Sequence, residues 1–274
     1  MIEFCFETIN WSPYLWNEVP GLAPPKPAQM IEAAASAGFA WISFDQTLLD
    51  AHGAAGGSLE DLRRWVDDAG LKVLALHSSA LGEDPRAASA AARLLAEAVP
   101  VLGAPWVQVG ATAPLGSALF EATHAAASIL GAVGARLAIE FLPFLEVASI
   151  ADARTLVAAT EDHRTAIVAD SWHFFHGPDD WDTLRSLAAD EIAFVQFDDH
   201  PPLESDDLLE ETTQRRVHPG RGEFDLGRFA KTLRASGFDG VVGLEQLSAA
   251  DRIRPVEQVA RELMAAARPY WIED

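Results

Sequence analysis

The sequence predicts an α/β protein folded as a (β/α)8 barrel, and three observations carry that expectation. Short apolar runs recur eight times, a longer Ala- and Leu-rich stretch follows each, and glycines close several of those stretches. This alternation is the pattern of repeated βα units around a parallel sheet. At 274 residues the chain has the length of one such barrel, typically about 250 residues, so a single domain over 1–274 is expected.

The expected strands are Phe4–Thr8, Trp41–Phe44, Val73–Leu76, Trp106–Val109, Leu137–Ile139, Ala166–Ala169, Ala193–Phe197 and Val241–Leu244. Each is short and nearly all apolar, as a strand buried on both faces must be. Between and after them, helices are expected at Pro27–Ala37, Leu59–Ala69, Pro85–Leu102, Ser117–Val133, Ile150–Thr160, Trp181–Ala188, Leu226–Ser236 and Pro255–Ala267. Gly38, Gly70, Gly103, Gly134 and Gly237 follow helical runs by one or two residues, where a left-handed cap is easiest without a Cβ. Two connections exceed what a barrel needs, Asn10–Pro25 after the first strand and Asp198–Glu223 after the seventh. Loops at the carboxyl ends of barrel strands build active sites, so both read as lids or walls.

Lys and Arg number 20 against 41 Asp and Glu, a net charge of -21 that a phosphate backbone or an anionic membrane would repel. Nucleic acid and membrane partners are therefore not expected, although one basic pocket could still take a single phosphate. Cys5 is the only cysteine, so no intrachain disulfide can form. No basic segment followed by an apolar one opens the chain, and no uncharged apolar run reaches about 18 residues. A cytoplasmic protein is expected.

Function enters where apolar strands end in polar residues. LAIE stops at Glu140, AIVAD at Asp170 and VVGLE at Glu245, and AFVQF carries Gln196. In a barrel these four positions face one mouth. Three carboxylates and an amide oxygen converging there repel one another unless a cation sits among them, and oxygen ligands suit a hard divalent ion, Mn2+ or Mg2+. One such acid alone would be a helix N-cap; three in near units point to a metal site. Glu140 and Glu245, from strands nearly opposite in the ring, are the expected proton carriers. One removes a proton beside a carbonyl while the metal stabilises an enediolate, and the other returns it.

His77 ends the third strand in LALHSS and is expected to touch substrate, as is His173, three residues after Asp170. Arg216 lies in the long seventh loop, ahead of a turn whose glycines can aim a cation at a substrate oxygen or phosphate. Trp11 and Trp172, with Trp16 and Phe174, fall near strand ends and are expected to wall a sugar ring, whereas Trp41, Trp65 and Trp106 are read as core. Asp198, Asp199 and His200 form a rival ligand set beyond Gln196.

The motifs LALHSS (74–79), LAIEFLP (137–143), ADSWHF (169–174), FVQFDD (194–199), RVHPGRGEFD (216–225) and GLEQLS (243–248) together resemble the xylose isomerase-like TIM-barrel superfamily. Sugar and sugar-phosphate isomerases and epimerases, inosose dehydratase, hydroxypyruvate isomerase and endonuclease IV belong to it. The resemblance implies a TIM barrel whose metal is held by Glu, Asp, His and Glu at the ends of strands five to eight, with the two glutamates as acid and base. Glu140, Asp170 and Glu245 match, and the histidine position falls on Gln196, a departure that an amide oxygen can still serve. The family also places a substrate-contacting histidine at His173 and arginine at Arg216.

The reading that follows is a metal-dependent isomerase or epimerase acting on a small polyhydroxylated substrate. A lyase or dehydratase using the same acid, base and metal stays open, because no residue decides between proton return and loss of a leaving group. A barrel that binds a sugar without turning it over also stays open, on account of Gln196. Endonuclease activity is opposed by the net charge. Oligomeric state is not readable, although barrels often pair through helices or long loops.

Overall fold

Eight parallel strands close on themselves in sequence order: β1 (Glu3–Glu7), β2 (Trp41–Asp45), β3 (Lys72–His77), β4 (Trp106–Val109), β5 (Arg136–Glu140), β6 (Thr165–Asp170), β7 (Ile192–Gln196) and β8 (Val241–Leu244). The computed structural model describes residues 1–16, 22–78, 80–160 and 165–272, so part of the expected first loop lies outside the described residues. The fold is a single (β/α)8 barrel, with β1 paired to both β2 and β8.

Side chains alternate across a strand, so every second residue faces the barrel axis. Cys5, Ala75, Ala138, Val168 and Phe194 form with Leu74 an inner apolar cluster, and Trp41, Trp106 and Val241 pack against it. Lys72 lies over the Trp41 ring at 4.6 Å and the Arg136 guanidinium over Trp106 at 4.4 Å, covering those indoles at the amino end of the barrel. Outside the strands, the helices bury Ala and Leu faces against the sheet in a second and larger core.

The helices at Pro27–Ala37 and Pro85–Leu102 keep their expected bounds, each with proline in its first turn and glycine at its end. Gly38, Gly70, Gly103, Gly134 and Gly237 all have φ between 71° and 93°. The last helix, Val256–Trp271, runs past its expected end and through Pro269, because Tyr270 and Trp271 pack on Phe197 at 5.5 and 5.3 Å and hold the chain helical. Helices at Gln46–Ala54, Ser171–His176 and Leu208–Gln214 were not expected. They begin on Asp45, Asp170 and Asp207, whose carboxylates accept from backbone N–H groups of the first turn.

The long seventh loop is built on one carboxylate. Asp199 Oδ2 accepts from Gly220 N and Gly222 N, both at 2.9 Å, and Oδ1 accepts from Phe224 N at 3.1 Å. Gly220 has a φ of 82°, and a Cβ on Gly222 would lie 2.2 Å from Asp199 Oδ1 and 2.3 Å from the His200 carbonyl oxygen. Gly222→Ala should therefore destabilise the protein by about 1–3 kcal/mol in urea unfolding. A variant unfolding within about 0.5 kcal/mol of the parent would show that the turn gives way without cost. Among the described residues no helix is long and apolar enough to cross a membrane.

Candidate active site

Two residues beyond the inner apolar cluster, toward the carboxyl ends, the same inward positions turn polar. Glu7 follows Cys5, His77 follows Ala75, Gln108 follows Trp106, Glu140 follows Ala138, Asp170 follows Val168 and Gln196 follows Phe194, all of them buried. Strand register sets Asp170 beside Gln196, Gln196 beside Gly243 and His77 beside Gln108. Glu245 comes immediately after β8.

Arg216 reaches in from the seventh loop. Its Nη1 donates to Asp198 Oδ2 at 2.7 Å, Asp170 Oδ2 at 3.0 Å and the Glu245 carbonyl oxygen at 3.2 Å, while Nε and Nη2 donate to Thr212 Oγ1 at 3.1 and 2.8 Å. Gln196 Nε2 donates to Glu245 Oε1 at 2.8 Å, and Gln196 Oε1 accepts from Gln108 Nε2 at 3.2 Å. His173 Nε2 stands 3.1 Å from Glu140 Oε1, and its backbone N–H donates the N-cap bond to Asp170 Oδ1. Asp170 thus caps a helix with one oxygen and meets Arg216 with the other.

Glu7, Glu140, Asp170, Asp198 and Glu245 are all buried around the Arg216 guanidinium and the imidazoles of His77 and His173. Acid exceeds base. Burial pushes the Glu245 carboxyl up, Glu140 and Asp170 reinforce it against the pull of Arg216 and His77, and it reaches about 8. Burial likewise drives Asp198 well above the usual carboxylate range against the pull of Arg216. Burial also acts to raise Asp170, but Arg216 and His173 more than reverse this and hold it below the ordinary value. Burial alone would lower His77, yet the Glu7 carboxylate, helped by Glu245 and Glu140, raises it to about 9.

His77, Gln108, Glu140, His173, Arg216 and Glu245, with Tyr14, line a cavity of about 210 Å3, while Glu7, Asp170, Gln196 and Asp198 stand behind them. A cavity of this size suits a small metabolite. Trp11 and Trp172, expected as walls, are buried behind the cavity and do not line it. Trp11 stacks on Phe6 at 5.5 Å, and Trp172 packs against Phe144, His173 and His176. Trp11 ends one short helical segment and turns into the apolar core, whereas Trp172 begins another and is buried against imidazoles and the Arg216 guanidinium, 5.6 Å from its ring; Ile9, Leu142, Phe144, Leu145 and Leu247 line the cavity in their place. Phe174 is also core, against Phe175, Trp181 and Phe229.

Arg216 is buried among carboxylates rather than carried on a solvated loop. Of the rival set, Asp198 pairs with Arg216, Asp199 is spent on the turn, and His200 Nε2 lies 3.3 Å from Glu211 Oε2. Glu7 and Gln108 escaped the sequence reading. FCFE ends an apolar run on an acid as LAIE does, and Gln108 is the polar residue at an inward position of WVQV, so the rule that found Glu140 could have found both.

The ligand atoms of Glu140, Asp170 and His173 lie within 4.8 Å of one another, a buried group able to hold a divalent ion. Carboxylate oxygens with an imidazole nitrogen, and with Glu245 and Gln196 adjoining, are the donor types such an ion takes. A half-turn of the Gln196 amide exchanges its oxygen and nitrogen, so this position can offer oxygen as well as N–H.

Residues 31–270 match the family described as xylose isomerase-like TIM barrel. A 3-dehydroshikimate dehydratase of Pseudomonas aeruginosa is 29% identical over 247 residues, covering 83% of this chain and 37% of that protein. A protein of the same name from Pseudomonas putida is 32% identical over 107 residues, covering 39% of this chain and 17% of that one. The chain thus spans well under half the length of either relative. Among solved structures, the IOLI protein with a bound zinc atom shares the fold at a TM-score of 0.82 and 19% identity, covering 98% of this chain and 97% of that one.

Proposed function

The chain belongs to the xylose isomerase-like TIM barrel family, and from that premise we propose that it is a divalent-metal-dependent lyase that removes water from a small hydroxylated ring ketone, with 3-dehydroshikimate the first candidate. The observation that carries the reading is that Glu140 and Glu245, from β5 and the end of β8, line one small buried cavity together with His77 and His173. Such groups can take and give protons on a substrate held between them. Elimination is preferred over epimerisation because the relative matched over 83% of this chain is a dehydratase by name.

In this reading Glu140, Asp170 and Glu245 hold the metal, with Gln196 or His173 completing the set. The metal, Mn2+ or Mg2+ by the hardness of those ligands, would polarise the substrate carbonyl. One carboxylate takes the proton from the carbon beside that carbonyl. The hydroxyl on the next carbon leaves with a proton from a second group, so the products are a C=C bond and water. Arg216 holds Asp170 and the Glu245 backbone in register and pairs with Asp198 behind them.

The test joins metal content with turnover. After loading with Mn2+ and desalting, the protein should retain about one ion per chain by elemental mass spectrometry, and Glu140→Gln should retain clearly less. The loaded protein given 3-dehydroshikimate should change its ultraviolet absorbance as loss of water and enolisation turn the conjugated enone into an aromatic ring. Deuterium uptake beside the carbonyl without elimination would support epimerisation instead. Retention of no ion would turn the reading toward a binding barrel.

A further inference from the structure

We propose that Glu7 is a positioning residue for His77, holding the ring so that Nε2 is turned to the barrel wall and Nδ1 is left to bind a substrate hydroxyl. Glu7 ends β1 fully buried, and its Oε2 lies 3.1 Å from His77 Nε2. Neither oxygen of that carboxylate, nor His77 Nε2, makes a hydrogen bond of good geometry among the described residues, so carboxylate and ring meet as a close buried charge contact. The other ring nitrogen, Nδ1, is 3.8 Å from Glu245 Oε1, and His77 lines the cavity. The two nitrogens therefore face different partners, one a fixed carboxylate and the other the place where substrate sits.

The barrel has made room for this carboxylate. Gly243, facing it on β8, would carry a Cβ only 2.2 Å from Glu7 Oε1, so any side chain there would displace it. A buried carboxylate costs several kcal/mol unless it is compensated, and a hydrophobe of similar volume usually leaves the fold as stable or more so. Packing alone thus gives no reason for an acid at position 7. Orientation of the imidazole does, because the hydrogen bond made by one nitrogen settles which face of the ring serves the cavity. His77 donates at Nδ1 toward the hydroxyl that departs in the proposed elimination, and on that point the inference rests on the proposed function.

The test uses the full chain labelled with 15N-histidine in Mg2+ buffer, with His77 signals assigned by their loss in His77→Gln. Long-range proton–nitrogen spectra of the parent should show a proton held on Nε2. Glu7→Met should lose that signature and lower kcat/KM for elimination by about 10- to 100-fold, with metal content unchanged. Glu7→Gln keeps an acceptor oxygen and should recover most of both. A parent in which Nδ1 alone carries the proton, or a Glu7→Met protein with parental spectrum and parental kcat/KM, overturns the proposal. If the parent eliminates no water from 3-dehydroshikimate, the spectra still decide the role of Glu7, and the proposed function falls separately.

Discussion

For the elimination proposed above, Glu245→Gln should lower kcat/KM by about 10^2- to 10^4-fold, the range expected when a group that moves a proton is replaced by one that cannot. At 1.36 kcal/mol per decade this corresponds to roughly 3–5 kcal/mol of lost transition-state stabilisation. Glutamine keeps the shape and an oxygen that can accept from Gln196 Nε2, so the change removes charge and proton while leaving the packing. Stability moves the other way. With its folded value near 8 against 4.5 for the free group, Glu245 in the metal-free protein stays protonated in the folded state where the unfolded chain has already lost the proton. The folded state then binds more protons, and stability falls by up to about 1.4 kcal/mol per pH unit as pH rises between those values. The metal-free variant should accordingly melt above the metal-free parent at pH 7.5. A variant that loses activity and also melts lower would have lost structure, and the catalytic assignment would fail.

Arg216→Ala destabilises the protein by about 3–5 kcal/mol, because Asp170 and Asp198 keep their burial and lose the guanidinium between them. At the 2–4 °C per kcal/mol usual for a chain of this size, Tm drops by roughly 10 °C. Lysine does not restore it, since a single ammonium cannot reach Asp170, Asp198, the Glu245 carbonyl and Thr212 Oγ1 together. Mn2+ raises Tm more in the variant than in the parent, because the ion meets a more negative cluster. Thermal unfolding followed by circular dichroism checks both statements, and an alanine variant melting within 2 °C of the parent would sink the first.

The strands were legible because a barrel strand is buried on both faces and leaves no ambiguity of period. The helices at 27–37 and 85–102 were legible because proline and glycine punctuate them. The helices at 46–54, 171–176 and 208–214 were not, since each is short and starts from an aspartate cap rather than from a repeating apolar face. Glu140, Asp170, Gln196 and Glu245 are legible because each polar residue interrupts or ends an apolar run, and the fold brings all four to the carboxyl ends of β5 to β8. Trp11 and Trp172 went astray for an opposite reason. Nearness to a strand end says which end of the barrel a residue occupies, but not whether its ring turns toward the cavity or into the core. The surroundings of Arg216 were beyond reach as well, because a loop residue's partners depend on how Asp199 folds that loop back.

The inner apolar layer of Cys5, Ala75, Ala138, Val168 and Phe194, joined on the second strand by Ser43 with its Oγ 3.2 Å from Cys5 Sγ, lies directly beneath the buried carboxylates. The charges at the mouth therefore have a weakly polar backing on their amino-terminal side. Such a backing screens little, so it strengthens their pull on one another and on any cation or polar ligand that enters from the other side.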